Sequence, residues 1–278
     1  MVPGVRKSAL IAGGGVLATS AVASLAARTV LRRQAARARS IIGQPLGHRA
    51  PDADRSYRKK RGDRIELVLL GDSIAAGLGA DDARGTLGAR LARKLAKRTD
   101  RAVRLRTAAV VGSESSMLAA QLDSLPEGYR PDLAVVIVGG NDVTHRVPVG
   151  ESVKHLEDCI ERLRALGAQV VVGTCPDLGA LRAVPQPLRA LGARASRQLA
   201  QAQRTAALER GAHAVSLADV VGPFFITNPD EMFSLDRFHP SALGYKRTAA
   251  AMLPSLLVAL GERDDVPFGH HAPVPLID

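Results

Sequence analysis

The chain has 278 residues, 46% of them hydrophobic, which is enough for one substantial core or at most two small ones. Aromatic residues make up only 3% and Trp is absent, so the core is expected from Ala, Val and Leu. The net charge of +11 argues for nucleic acid only until it is located: residues 1–64 hold 14 Lys/Arg against 3 Asp/Glu, whereas residues 65–278 hold 24 of each.

A nucleic-acid-binding domain carries its basic face on the fold. Here the excess is an N-terminal segment on a balanced body. It reads as a juxtamembrane polybasic stretch or a translocation signal, and no nucleic-acid partner is expected. Cys159 and Cys175 form neither a disulfide framework nor a CxxC metal pattern, and are expected as buried free thiols.

The first element is a charge-free run from Ser8 to Ala27, preceded by Arg6 and Lys7. It is just long enough to span a bilayer as a helix, though Ala, Gly and Ser dominate it. Ala21-Val22-Ala23 would serve as a small-residue cleavage site. Arg28, Arg32, Arg33, Arg37 and Arg39 follow, a flank that positive-inside logic keeps cytoplasmic. Residues 1–27 are therefore read as a signal or anchor segment, cleaved or retained, with membrane association or export expected and the side open. Residues 28–63, polar and basic with Pro and Gly, read as a linker. A globular domain is expected over residues 64–262, with a tail over 263–278.

From Arg64 the pattern alternates. Apolar strand-like runs cover Ile65–Leu70, Val103–Val110, Leu133–Val138, Val170–Gly173 and Ala214–Leu217. Helical stretches lie between them, near Gly85–Lys97, Ser115–Asp123, Glu151–Leu166 and Leu188–Arg210, with a last one at Ser241–Leu260. The strand runs are apolar on both faces, as in a parallel sheet covered on both sides. The expectation is a three-layer α/β/α sandwich on a five-stranded parallel sheet. Such sheets bind their ligands at the carboxyl ends of the strands.

The chemically suggestive residues fall at those ends. Ser73 follows the first strand in "LVLLGDSIAAGLGA", Gly112 the second in "VVGSESS", and Asn141 the third in "VIVGGNDV". Asp236 and His239 stand in "SLDRFHPSALGY", after the fifth strand and before the last helix. A serine hydroxyl becomes a nucleophile when a histidine, oriented by a carboxylate, takes its proton. Asp236-x-x-His239 lets one tight turn aim both groups at Ser73. The oxyanion that forms needs donors already in place. The backbone N–H of Ser73, the N–H of Gly112 and the Asn141 amide are the candidates. No other histidine is placed as well: His145 follows Asn141 closely, His48 is in the linker, His155 lies on a helix, His213 opens a strand, and His270 and His271 lie in the tail. Singly, each motif is also an ordinary turn or helix cap. Their joint order at successive strand ends is what argues for chemistry.

These segments resemble the sequence blocks of the SGNH hydrolase family, also called GDSL esterases/lipases. "GDSIAAGLG" corresponds to the block of the nucleophile Ser73, Gly112 to the second block, "GGND" to the block of Asn141, and "DRFHPS" to the block of Asp236 and His239. Ile74 stands where the motif often has Leu. The resemblance runs from about Arg64 to about Leu260. It implies a flavodoxin-like sandwich and hydrolysis of carboxylic esters through an acyl-enzyme, with no metal and no cofactor. An acyltransferase or O-deacetylase would use the same residues. A non-catalytic membrane-tethered binding domain is the rival from another class.

Phe224, Phe225, Phe233 and Phe238, with Met232, crowd the window leading to the Asp-His pair and are expected as one wall of an acyl pocket. No insertion between the blocks is long enough for a lipid-binding lid. A small-molecule ester of a short acyl chain is therefore the expected substrate. Asp72 and Asp142 are expected as hydrogen-bonding supports for the loops of the site.

Overall fold

The structure, a computed structural model, describes residues 8–273, with side chains described from Ser24 onward. Arg6, Lys7 and the end of the tail lie outside the described residues, as do the side chains of residues 8–23. The first helix, α1 (Ser8–Ile42), passes the expected boundary at residue 27 without a break. Its later turns rest on the body. Gln34 accepts the N–H of Leu188 at 3.0 Å and donates to the carbonyl of Gln186 at 2.5 Å, and Ala38 is buried. Among the described residues no helix is long and apolar enough to cross a membrane.

The sheet has seven strands, β1 (Ser56–Tyr57), β2 (Ile65–Gly71), β3 (Val103–Thr107), β4 (Leu133–Ile137), β5 (Gln169–Gly173), β6 (His213–Val215) and β7 (His270–His271). Their order is β1-β3-β2-β4-β5-β6-β7. The inner five are parallel, as expected, and their order is the flavodoxin-like one. The outer two pair antiparallel and enlarge the expected sheet from five strands to seven. Each is two residues long, too short to leave an apolar pattern. Both come from stretches expected as linker and tail. The stretch before β1 is tied down as well: Asp54 accepts the N–H of Thr107 at 2.9 Å, and Tyr57 is buried.

Among the described residues ten α-helices follow α1: α2 (Ser73–Ala76), α3 (Leu87–Arg98), α4 (Leu118–Asp123), α5 (Gly140–His145), α6 (Val149–Ala165), α7 (Leu188–Glu209), α8 (Leu217–Val220), α9 (Gly222–Thr227), α10 (Pro229–Met232) and α11 (Ala242–Ala259). The long ones cover both faces of the sheet. Alternate residues of β2 serve the two layers. Ile65, Leu67 and Leu69 join the core shared with α3 and α11, while Val68 and Leu70 join the core shared with α4, α6 and α7. Leu87, Leu91 and Leu95 recur at helical spacing on α3 and are fully buried, each contributing about 2 kcal/mol or more. The sandwich thus presents the carboxyl ends of five parallel strands on one side, and the loops there build the site.

Candidate active site

The nucleophile segment is set by close backbone contact. Gly71 ends β2 with φ 127°, and a Cβ there would lie 1.8 Å from the Ile137 carbonyl oxygen of β4. Only glycine lets the two strands meet at that point. The Asp72 N–H then donates to that same carbonyl at 3.0 Å, and the Asp72 carboxylate caps α2 by accepting the Ile74 N–H at 2.9 Å. Ser73 is the first residue of α2 and lines the cavity described below.

The acid–histidine turn is held by its own carboxylate. Asp236 Oδ1 accepts the N–H groups of Phe238 and His239 at 3.0 and 2.9 Å. Asp236 Oδ2 accepts from His239 Nδ1 at 2.5 Å. Burial of Asp236 would raise its affinity for protons, but these bonds from His239 and Phe238 outweigh it and hold the carboxyl below its ordinary range. The far side of the ring meets the serine: His239 Nε2 lies 3.0 Å from Ser73 Oγ. Ser241, not the Asp-His pair, caps α11, through the Gly244 N–H at 3.1 Å. Tyr245 of α11 is fully buried and donates to the Leu78 carbonyl at 2.6 Å, which braces the chain just after α2.

The remaining expected residues divide. Asn141 lies in the first turn of α5 and lines the same cavity as Ser73 and His239. Its Nδ2 donates to the Ser113 carbonyl at 3.0 Å, which leaves the second N–H of the amide for another acceptor. Gly112 sits next to Ser113 in a left-handed turn, φ 85°, but is not among the cavity-lining residues. Asp142 and Asp72 act as the supports expected of them. Asp142 is buried and accepts the Ser115 N–H at 3.1 Å and the Ser152 hydroxyl at 2.7 Å. Asp72 is 2% exposed, and that burial pushes its carboxyl up to about 6. The nearby Asp142 adds to the rise, while the Ile74 and Gly140 N–H groups and His239 oppose it.

The cavity beside Ser73 has a volume of about 80 Å³. Phe225, Phe233 and Phe238 line it, as expected. Phe225 and Phe233 meet edge to face at 4.9 Å. Two members of the expected wall are elsewhere. Met232 is buried in the core behind α11, and Phe224 points outward, its ring under the Arg247 guanidinium at 4.8 Å. On α9 adjacent residues face different directions, which a count of aromatics in a window cannot tell apart. The opposite wall, Pro176, Leu178, Leu181, Leu217 and Val221, escaped sequence reading because these are plain aliphatics in loops and short helices. Gln121 was missed for a different reason. It is a buried polar residue on α4 whose amide both accepts from Gly71 N and donates to Gly71 O, each at 2.8 Å, acting as a substitute strand neighbour. Nothing in its local sequence marks that role.

Residues 69–247 match the model of the GDSL-like lipase/acylhydrolase family. A GDSL-like esterase of Mycobacterium tuberculosis is 39% identical over 279 residues, spanning 96% of this chain and 88% of that protein. A lipase/acylhydrolase from Enterococcus faecalis superposes with a TM-score of 0.57 at 21% identity, over 73% of this chain and 100% of that one. The esterase EstA from Pseudoalteromonas sp. superposes with a TM-score of 0.56 at 20% identity, over 70% and 98% of the two chains. At those identities the structural matches speak for the fold. The family match and the mycobacterial relative speak for descent, and the chain belongs to the GDSL-like lipase/acylhydrolase family.

Proposed function

We propose that the protein is a serine esterase that hydrolyses carboxylic esters of short acyl chains through an acyl-enzyme. One observation carries the reading. Ser73 Oγ, His239 and Asp236 form a continuous relay, 3.0 Å and then 2.5 Å, beside a small apolar cavity. Ser73 Oγ attacks the ester carbonyl carbon while His239 Nε2 takes its proton. Asp236 fixes the ring so that Nδ1 carries the other proton, and it stabilises the imidazolium that forms. The oxyanion is received by the Ser73 N–H, the free N–H of Asn141 and, as a third donor, the Gly112 N–H. Collapse expels the alcohol with the proton from His239. Water then attacks the acyl-Ser73 ester by the same relay, releasing the acid and restoring the hydroxyl.

The cavity supports a short acyl group. Phe225, Phe233, Leu178, Leu181 and Val221 give it apolar walls beside Ser73 on which such a group packs. The relatives support the reaction class: the mycobacterial relative is a GDSL-like esterase, and the Pseudoalteromonas esterase is inhibited by monoethylphosphonate. The test is hydrolysis of p-nitrophenyl acetate, butyrate and octanoate by the full chain and by Ser73→Ala. The reading expects acetate and butyrate to be cleaved, octanoate poorly, and none of them by the variant. Equal activity of the Ser73→Ala variant would overturn it.

Association of residues 8–27 with a membrane is likewise a proposal, resting on the charge-free run and the arginines after it. Cell fractionation of the full chain and of a chain lacking residues 1–27 tests it. The full chain is expected with the membranes or outside the cell, and equal cytoplasmic recovery of both would refute it.

A further inference from the structure

The turn that follows β3 is tied to α5 residue by residue. The Ser113 carbonyl takes the Asn141 amide at 3.0 Å. The Ser115 N–H goes to Asp142 at 3.1 Å. Between them, Glu114 Oε1 meets His145 Nδ1 at 2.6 Å. Three consecutive residues of the turn thus meet three residues of α5. A fourth tie runs the other way: Gln121 Nε2 donates to Ser113 Oγ at 3.0 Å and to the Gly71 carbonyl at 2.8 Å, joining the turn to the end of the nucleophile strand.

The Ser113 tie matters most for chemistry. An Asn amide carries two N–H groups in one plane. Once Ser113 holds the first, the direction of the second is set. Asn141 lines the cavity with Ser73 and His239, so the position of the Ser113 carbonyl decides where that second N–H aims. Ser113 and Ser115 are wholly buried, whereas the Glu114 and His145 side chains are 29% and 59% exposed. An exposed pair of this kind adds little to global stability. Its place, between the two buried ties and on the same helix as Asn141, gives it a different use.

We infer that Glu114 and His145 are positioning residues for the Ser73 site: their pair holds the turn so that the Ser113 carbonyl orients the Asn141 amide toward the oxyanion. This rests on the serine-esterase reading above and adds to it two residues remote from the relay. A donor misplaced by even a fraction of an ångström loses transition-state stabilisation without changing how the ester binds.

The experiment uses the full chain with p-nitrophenyl acetate. Glu114→Ala, His145→Ala, the double variant and the conservative Glu114→Gln are compared for kcat, KM and Tm, alongside fluorophosphonate labelling of the wild type. Each Ala variant is expected to lose about 10-fold in kcat, less than removal of a donor itself, with KM within about 2-fold. The double variant is expected to be no worse than either single one, since one tie is broken in all three. Tm should move by no more than about 3 °C. Glu114→Gln keeps an acceptor oxygen for the imidazole and should recover most of the rate. An unchanged kcat in Glu114→Ala, with an active and labelled wild type, overturns the tie alone. Rate and Tm falling together, without rescue by Gln, would also overturn it and leave a merely structural pair. A wild type that neither hydrolyses nor labels overturns the esterase reading and takes the tie with it.

Discussion

The Asp72→Asn substitution offers a sharp test of the electrostatics behind Ser73. Asp72 is 2% exposed, and burial raises its carboxyl from 3.8 to about 6. At about 1.4 kcal/mol per tenfold change in proton affinity, this corresponds to about 3 kcal/mol. The sign follows from linkage. Well above pH 6 the carboxyl is ionised in both folded and unfolded chains, and the fold carries the full penalty of a buried charge. As the pH falls through about 6 the folded carboxyl takes up a proton and the penalty lifts. Below 3.8 it is gone. Asn never carries it. Asn also caps helices as well as Asp, so the bond from Ile74 survives. Its NH2 group faces the Gly140 N–H that now reaches the carboxylate, an offset of about 1–3 kcal/mol. That offset does not vary with pH, so the informative quantity is how the stability gap between variant and wild type changes. Urea unfolding of both proteins at pH 4, 5, 6, 7 and 8 measures it. The gap should shift in favour of Asn by about 2.5 kcal/mol from pH 4 to pH 8, most of it between 4 and 6. A gap independent of pH would refute the claim that Asp72 is a strained buried charge.

Three further outcomes are expected. Asn141→Ala should lower kcat about 100-fold with little change in KM, read from steady-state hydrolysis of p-nitrophenyl acetate. Phe233→Ala should enlarge the cavity and raise the hexanoate-to-acetate ratio of kcat/KM by about 10-fold or more, since each added methylene that fits is worth that much; circular dichroism confirms that the variant folds. His270, buried in β7 with Ser255 Oγ at 2.7 Å from its Nδ1, is lowered to about 4 by burial and by His271 and Arg263. Its neutral ring contributes stability above about 6.5 that is lost as the pH falls toward 4, so His270→Gln should lose less stability than wild type across that window in denaturant titrations.

Much of this architecture is legible in the sequence. The inner strands and the long helices announce themselves because a doubly covered parallel sheet leaves unbroken runs such as Ile65–Leu70 and Leu133–Val138, separated by helical periodicity. Ser73, Asn141, Asp236 and His239 were legible because they stand at strand ends, and their residue types have few other uses together. The edge strands were not legible. Ser56–Tyr57 and His270–His271 are held by hydrogen bonds to a neighbour far along the chain, and no local pattern encodes that. The cavity was half legible. Phe225, Phe233 and Phe238 were found by composition, but Phe224 and Met232 came with them because a window has no sense of direction. Glu114 and His145 show the limit most plainly. The acid that meets His145 lies 31 residues away in sequence, brought close because β3 and β4 flank β2.

Everything proposed for the site depends on Ser73 being an activated nucleophile. The most direct measurement treats the full chain with a fluorophosphonate, locates the adduct by mass spectrometry, and repeats the labelling with His239→Ala. A single adduct is expected on Ser73, forming in step with loss of p-nitrophenyl acetate hydrolysis, with both labelling and hydrolysis lost in His239→Ala. A folded wild-type protein that takes no adduct at Ser73, or that labels equally well without His239, would contradict it.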